Sequence, residues 1–445
     1  MSVRQDTETA PDRGKPIVME LIAESFLAAD SASDVRDAVR QRLERTNGRS
    51  MVALEVALTW DSASARHTDV YVAPKINLWR DLSSPILEAG LVGKPVGGTW
   101  QHHFAAGELV APYAERDCLL IPGQRFNRRL RRGSYVEPRA GRFYPKGFIG
   151  GVRDIYPEDH TPFRVAAVEG EELRVELNHP LADRPTAVST VILDAWETGS
   201  ERGGLCHDLA AMVTDNGPGM QARWRDQPTD FWSDVPFIRM AAGPDDEFYE
   251  KPRLVDHIDR TATRQIERLY GRLMPPGGRI LDLMTSWKSH LPPNLAPAHV
   301  TGLGMNPAEL EANPVLGERV IRDLNLDPTL PFAEASFDGA VCTVSVEYLV
   351  KPFDVFAEVA RVLRPGARFV VTFSNRWFPP KVINIWQGCH EFERMGIVLE
   401  YFLRSGRFTN LETFSLRGLP RPADDKYASQ FPQSDPVFAV WGERR

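Results

Sequence analysis

The stretch RDLNLDPTLPFAEASFDGAVCTVSVEYLVKPFDVFAEVARVLRPGARFVVTFSNR, residues 322–376, decides the fold. Within it, FDGAVCTV and ARFVVTF are short apolar runs that read as strands, and PFDVFAEVARVL between them reads as a helix. The same alternation holds upstream. Ile266, Leu269, Tyr270 and Leu273 fall at helical spacing, Pro275-Pro276-Gly277-Gly278 ends that helix, and RILDLM follows as a strand. VTGLGM reads as a further strand and PAELEAN as a further helix. This order predicts an α/β, doubly wound, mostly parallel sheet that binds its ligand beyond the carboxyl ends of the strands.

The same run resembles the central half of class I S-adenosylmethionine-dependent methyltransferases of the methyltransferase type 11 kind. There an acidic residue precedes LPF, then come SFD, a strand, a helix, and R-V-L-R-P-G before the next strand. The likeness is close over residues 281–376 and loose over 253–445. It implies a Rossmann-like C-terminal domain, S-adenosylmethionine as cofactor, and an unidentified methyl acceptor, either a small molecule or a protein. The resemblance also places a cofactor site. The first strand ends at Asp282 with Thr285 and Ser286 after it; the second ends at Gly304, Met305 and Asn306; Asp323 and Leu324 follow the third; the fourth ends at Thr343, Val344 and Ser345. By that likeness Asp323 accepts from the adenine amino group, the Leu324 amide lies opposite the ring, and residues 343–345 lie beneath the amino-acid end.

Two departures bear on function. A glycine-rich turn lets the backbone approach a ligand and starts a helix whose amides meet it. Here LDLMTSWKSHLPP carries Thr285, Ser286 and Trp287 instead, and Pro292-Pro293 leave that helix a turn or two. The acidic residue that would grip the ribose is also missing, since Gly304 stands in its place, and Asn306 is the polar residue left to substitute. Two readings stay open. In one, Thr285, Ser286 and Asn306 replace the lost contacts and Trp287 or Tyr348 offers a π face to the sulfonium; in the other, Trp287 fills the site and the domain is a retained scaffold. On the acceptor side Tyr348, Asn375 and Arg376 are the candidates, with Trp377 and Trp386 nearby, and Asn375 has the alternative of capping a helix. Methyl transfer needs positioning more than a diagnostic motif, and the residues mark no general base.

Toward the N-terminus the pattern changes to β. MVALEVALTW, TWQHHFAAGEL, FRVAAVEGEELRVEL and TAVSTVIL read as strands separated by Gly and Pro turns. The segment GFIGGVRDIYPEDHTPFRVAAVEGEELRVELNHPLADRPTAVSTVILDAWE, with its Asn178-His179-Pro180-Leu181-Ala182 turn, resembles FKBP-type peptidyl-prolyl isomerases of the SlyD-like group. So does SPILEAGLVGKPVGGTW. The resemblance implies a β-rich α+β, FKBP-like N-terminal domain, a peptide as its partner, and an apolar isomerase-like pocket for which Ile86, Leu87, Tyr113 and Phe148 are the candidates. An insertion over about 111–148 carries eight arginines, seven of them between Arg125 and Arg142, read as a solvated loop that pairs with the acidic remainder of the chain.

The expected organisation is a polar N-terminus over 1–16, helices over 17–48 with one ending near Asn47-Gly48, the FKBP-like unit over 49–198, a packed connector over 199–250, and the methyltransferase-like domain over 251–445. A chain of 445 residues exceeds one hydrophobic core. Its formal charge of -7 supplies no electrostatic reason for a nucleic acid or an anionic membrane. Cys118, Cys206, Cys342 and Cys389 are too scattered for a zinc site or a redox dithiol, His102, His103 and His179 read as structural, and no metal is expected. With neither an apolar leader nor a spanning run, the reading is cytoplasmic.

Overall fold

A computed structural model of the chain describes residues 41–129, 135–198 and 206–445. The expectations for residues 1–40 lie outside the described residues. The last turn of the helix expected up to Asn47 falls inside them and is absent: the Leu43 amide donates to the Ala195 carbonyl, and Arg42 and Arg45 form bridges to Trp196 and Pro95. A neighbouring strand thus takes the backbone groups that a helix would have used.

The C-terminal half has the expected alternation. Helix α4 (Arg260–Leu273) is preceded by Asp259, whose carboxylate accepts from the Thr261 and Ala262 amides, and it turns Ile266, Leu269, Tyr270 and Leu273 inward. There follow β9 (Arg279–Leu283), β10 (His299–Gly304), α5 (Pro307–Ala312), β11 (Glu318–Ile321), β12 (Phe337–Thr343), α6 (Pro352–Val362), β13 (Leu363–Phe373), α7 (Asn384–Gln387), α8 (Glu391–Ser405), β14 (Phe408–Arg417) and β15 (Val437–Arg444). Strands β11, β10, β9, β12 and β13 are parallel neighbours, and β15 joins β13 antiparallel. Both faces are covered. Ile266, Leu269 and Leu310 pack with Ile280 and Val300 on one side, while Phe356, Val359 and Phe402 pack with Leu281 and Phe369 on the other.

The sheet does not stop at the edge of this domain. Strands β1 (Ser50–Asp61), β2 (Arg66–Asn77), β3 (Thr99–Phe104) and β8 (Thr186–Glu197) continue it, giving eleven strands in the order β11-β10-β9-β12-β13-β15-β14-β2-β1-β8-β3. The join is a parallel pairing of β14 with β2, from Glu412 opposite Arg66 to Arg417 opposite Tyr71. Several of its buried polar groups find partners at the seam. Asp69 accepts from the Ser415 hydroxyl at 2.8 Å and the Trp60 indole at 3.0 Å, and the His67 Nδ1 lies 2.8 Å from the Thr413 hydroxyl.

Helix α1 (Pro85–Leu91) packs Leu87 and Leu91 against this extension with Phe104 and Val188. A second, antiparallel sheet has the order β4-β7-β6-β5, formed by β4 (Cys118–Pro122), β5 (Phe143–Pro145), β6 (Pro162–Glu169) and β7 (Glu172–Glu176). The ends of the arginine-rich insertion are therefore strands of this sheet, and three of its arginines pair with acids, Arg128 with Glu137 among them. Arg142 is buried and donates to Glu393 on α8 at 2.9 Å, and Arg139 pairs with Asp234. Arg131 and Arg132 lie outside the described residues. The connector adds the short helices α2 (Leu209–Thr214) and α3 (Asp245–Tyr249). No helix among the described residues is long and apolar enough to cross a membrane.

Candidate functional site

The ends of β9, β10 and β12 open on one cleft of about 1180 Å³ of empty space, part of it open to solvent. Two backbones there are strained. Met284, just past β9, has φ 56°, a left-handed conformation that glycine adopts more readily; Val344, just past β12, has φ 48°, an outlier for a β-branched residue. The Ser345 hydroxyl ties the two ends together, lying 2.8 Å from the Thr343 carbonyl and 3.3 Å from the Met284 carbonyl. Tyr270 on α4 reaches the hydroxyls of Thr343 and Thr372 at 2.6 and 2.7 Å.

Asp282, Thr285, Ser286, Gly304, Met305, Asn306, Asp323, Leu324, Thr343, Val344, Ser345 and Tyr348 all line this cleft. Not all of them have groups to spare. The Thr285 hydroxyl is 2.5 Å from Asp282, and the Ser286 hydroxyl donates to Glu309 at 2.6 Å. Asn306 uses its whole amide: Oδ1 accepts from the Glu309 amide as the cap of α5, and Nδ2 donates to the Tyr249 and Glu250 carbonyls at 2.8 and 2.9 Å. The groups of Thr285, Ser286 and Asn306, expected to replace the missing ligand contacts, are thus engaged with Asp282, Glu309 and the Tyr249 and Glu250 carbonyls. Burial pushes the Asp282 carboxyl up to about 7, against which its hydrogen bonds to Thr285 and Ser289 act.

The short helix expected after β9 is also corrected. Thr285 continues past the strand, its amide donating to the Leu303 carbonyl at 2.9 Å, and the crossover to β10 contains a single 3-10 turn at Pro293–Leu295. This path explains Gly304. A Cβ there would meet the Thr285 carbonyl oxygen at 2.3 Å, so the acid absent from the sequence has no room. Gly304→Asp is expected to lower stability by about 1–3 kcal/mol and to bring no gain in cofactor affinity. A thermal melt and a binding isotherm check this, and a stable variant with tighter binding would show that the carbonyl moves aside.

The adenine-side candidates are differently placed. Asp323 Oδ1 accepts from the Asn325 and Leu326 amides at 2.8 and 3.2 Å, while Oδ2 is uncommitted, and the Leu324 amide donates to nothing among the described residues. The Trp287 indole donates to the Val255 carbonyl at 3.2 Å and forms part of the wall, so it does not fill the cleft.

Asn375 and Arg376 line a second, more open cleft that abuts the first; Val255, Asp256, His257, Ile258, Val344, Tyr348 and Phe378 border both. Asn375 caps no helix, and Arg376 lies over the Tyr427 ring at 4.7 Å with Asp435 3.5 Å away. Trp386 is fully buried against Phe373, away from this cleft. Tyr348 stacks on Phe378 at 5.9 Å, and its phenol oxygen accepts from the Phe378 amide.

Sequence reasoning missed the side of the site formed by residues 245–257, where the connector runs into the catalytic domain. Asp245, Tyr249, Arg253 and His257 form its roof, held by Asn306, by Trp287 and by Glu309, which accepts from the Arg253 amide at 2.6 Å. Glu309 was visible three residues after a capping asparagine; nothing local marks the other four. His257 sits between the clefts against Phe378, and neither ring nitrogen has a hydrogen-bond partner among the described residues. The protein crowding its ring lowers its pKa, leaving a neutral imidazole that can accept a proton.

The isomerase-like candidates do not converge. Ile86 and Leu87 belong to the core beneath α1, Phe148 packs with Phe126 and Tyr144 in the small sheet, and Tyr113 bonds Glu115 and Arg225 beside another cleft. They are divided between two separate cores and a hydrogen-bonded surface site. Among the described residues no group of three or more His, Cys, Asp or Glu is arranged to hold a metal.

Residues 286–371 match the methyltransferase domain family. The segment contains Ser286, β10 to β12, α6 and most of β13, so the match lies on the cleft just described. A curated relative, the O-methyltransferase rstn1 of Aspergillus nomiae, is 31% identical over 137 residues, which are 28% of this chain and 59% of that protein. The chain therefore spans well under two thirds of that relative's length. Among solved structures, an S-adenosylmethionine-dependent methyltransferase from Mesorhizobium loti is 18% identical and covers 40% of this chain and 98% of its own, with a TM-score of 0.27. A TehB-like methyltransferase from Corynebacterium glutamicum is 17% identical, covers 40% and 87% respectively, and has a TM-score of 0.27.

Proposed function

We propose that the chain is an S-adenosylmethionine-dependent methyltransferase, with residues 251–445 as the catalytic domain and 199–250 as a connector that roofs the cofactor cleft. The observation that carries this reading is the pairing of a family match over 286–371 with uncommitted groups at the adenine end, the Asp323 Oδ2 and the Leu324 amide. The residues present suit that cofactor there: a carboxylate oxygen can accept from an exocyclic amine while a backbone N–H donates to the ring.

When bound, S-adenosylmethionine supplies a methyl group on a sulfonium sulfur. Asp323 and Leu324 would fix its adenine, and Thr343, Val344 and Ser345 would floor its other end. The stacked Tyr348 and Phe378 border both clefts and would flank the path between donor and acceptor. Asn375 and Arg376 would orient the acceptor, whose identity stays open between a small molecule and a protein. Calorimetry with S-adenosylmethionine tests this. We expect micromolar binding that weakens by about ten-fold or more in Asp323→Ala, because a charge-assisted hydrogen bond is lost; no heat with the wild-type chain would sink the proposal.

We read residues 49–198 as an FKBP-like accessory unit that presents the acceptor or a peptide. Support comes from the sequence motifs and from a four-stranded sheet inserted between β3 and β8. The continuous sheet through β14 and β2 supports a fixed rather than a tethered placement.

A further inference from the structure

The cleft holds a cation without a counter-ion. Of its lining cations, Lys288 pairs with Asp256 and Arg322 with Asp327, whereas Arg253 forms no ion pair among the described residues. Its Nη2 donates to the Phe248 carbonyl at 2.9 Å, and Nη1 is shut off from bulk water with no hydrogen-bond partner. The guanidinium lies over three aromatic rings, at 4.5 Å from the centroid of Phe248, 5.5 Å from Phe378 and 5.7 Å from Tyr249. Those π faces offset part of the desolvation cost, yet a cation so placed is most stable with an anion against it.

The second observation concerns what is missing opposite. A glycine-rich turn would run into a helix whose terminal amides receive a ligand anion. Here the chain from β9 hugs β10, and the crossover holds only a 3-10 turn, so no helix N-terminus faces the cleft at that point. The cofactor carries a single carboxylate, at its amino-acid end. We propose that the Arg253 guanidinium binds that carboxylate, taking over from the absent amide cluster. The inference rests on the cofactor reading above and makes Arg253 a binding residue supplied by the start of the catalytic domain, ahead of the matched residues 286–371.

Two ligands that differ only in this group provide the test: S-adenosylmethionine and its decarboxylated form, titrated calorimetrically into the full chain. The wild-type protein is expected to bind the carboxylate-bearing ligand about ten-fold or more tightly than the other. Arg253→Gln should erase that preference, weakening the first ligand to the level of the second while leaving the second within about two-fold, and Arg253→Lys should keep part of it. Equal affinities in the wild-type protein, or a variant that weakens both ligands alike, would overturn the inference while leaving the cofactor reading intact. Binding of neither ligand to the wild-type chain removes the cofactor reading and this inference with it. A ligand-free thermal melt identifies a variant that has lost its fold, and the wild-type comparison of the two ligands decides the matter without any variant.

Discussion

Asp245→Ala is expected to lower the unfolding free energy by about 3–5 kcal/mol. Asp245 is buried at the start of α3, with Arg239 Nη1 2.8 Å from both its oxygens, Lys381 Nζ at 2.8 Å and Asn325 Nδ2 at 2.8 Å. These partners hold its carboxyl below the usual carboxylate range against the opposing effect of burial. Alanine would strand two cations whose side chains are only 11% and 2% exposed. The same contacts fasten the connector to the loop after β11, so cofactor binding should weaken along with stability. Urea denaturation measures the first effect and calorimetry the second. Asp245→Asn, which keeps the shape and loses the charge, should recover little. A denaturation midpoint unchanged in Asp245→Ala would mean that the connector is not held by this cluster.

Glu347→Gln is expected to change how stability depends on pH. Glu347 is fully buried in the turn after β12, and neither carboxyl oxygen has a hydrogen-bond partner among the described residues. Burial pushes its pKa up from 4.5 to about 8, with its own backbone amide and then Arg394 acting the other way. The folded state therefore favours the protonated acid. Its contribution is fully present below about pH 4.5 and is lost as pH rises through about 8, because over that window the unfolded chain gives up the proton more easily. At roughly 1.4 kcal/mol per unit, glutamine should gain on the order of 5 kcal/mol at most relative to wild type across the window. At pH 4.5 the variant should be no more stable, since an amide buried without partners is costly too. Asp282 and Glu55, raised by burial to about 7 and about 8, slope the same way and remain in the variant. Melting curves from pH 4.5 to 9 give the comparison; parallel curves for the two proteins would show that Glu347 ionises normally.

Much of the C-terminal domain was legible because its signals are local. Apolar runs of strand length, the helical spacing from Ile266 to Leu273 and the Pro-Gly stop after it each act within a few residues, and the structure follows them at α4, β9, β10, β12, α6 and β13. The strand-end candidates share one cleft for the same reason, since the ends of neighbouring parallel strands must lie side by side. Short strands were harder. Strand β11 has four residues, mostly exposed, and β5 has three, too few to show a period.

What the residues specified by themselves was therefore the order of elements and the positions of the strand ends, because hydrophobic periodicity and turn chemistry are properties of neighbours along the chain. The tertiary structure decided the roof of the site and the unity of the sheet. Asp69 meets Ser415, and His67 meets Thr413, across 346 residues, and Arg142 finds Glu393 across 251. Asn306 is committed to the Tyr249 carbonyl, and Arg253 is brought over the cleft with no counter-ion among the described residues. Such pairings depend on which surfaces meet after the strands have stacked, and no local pattern encodes a partner that distant.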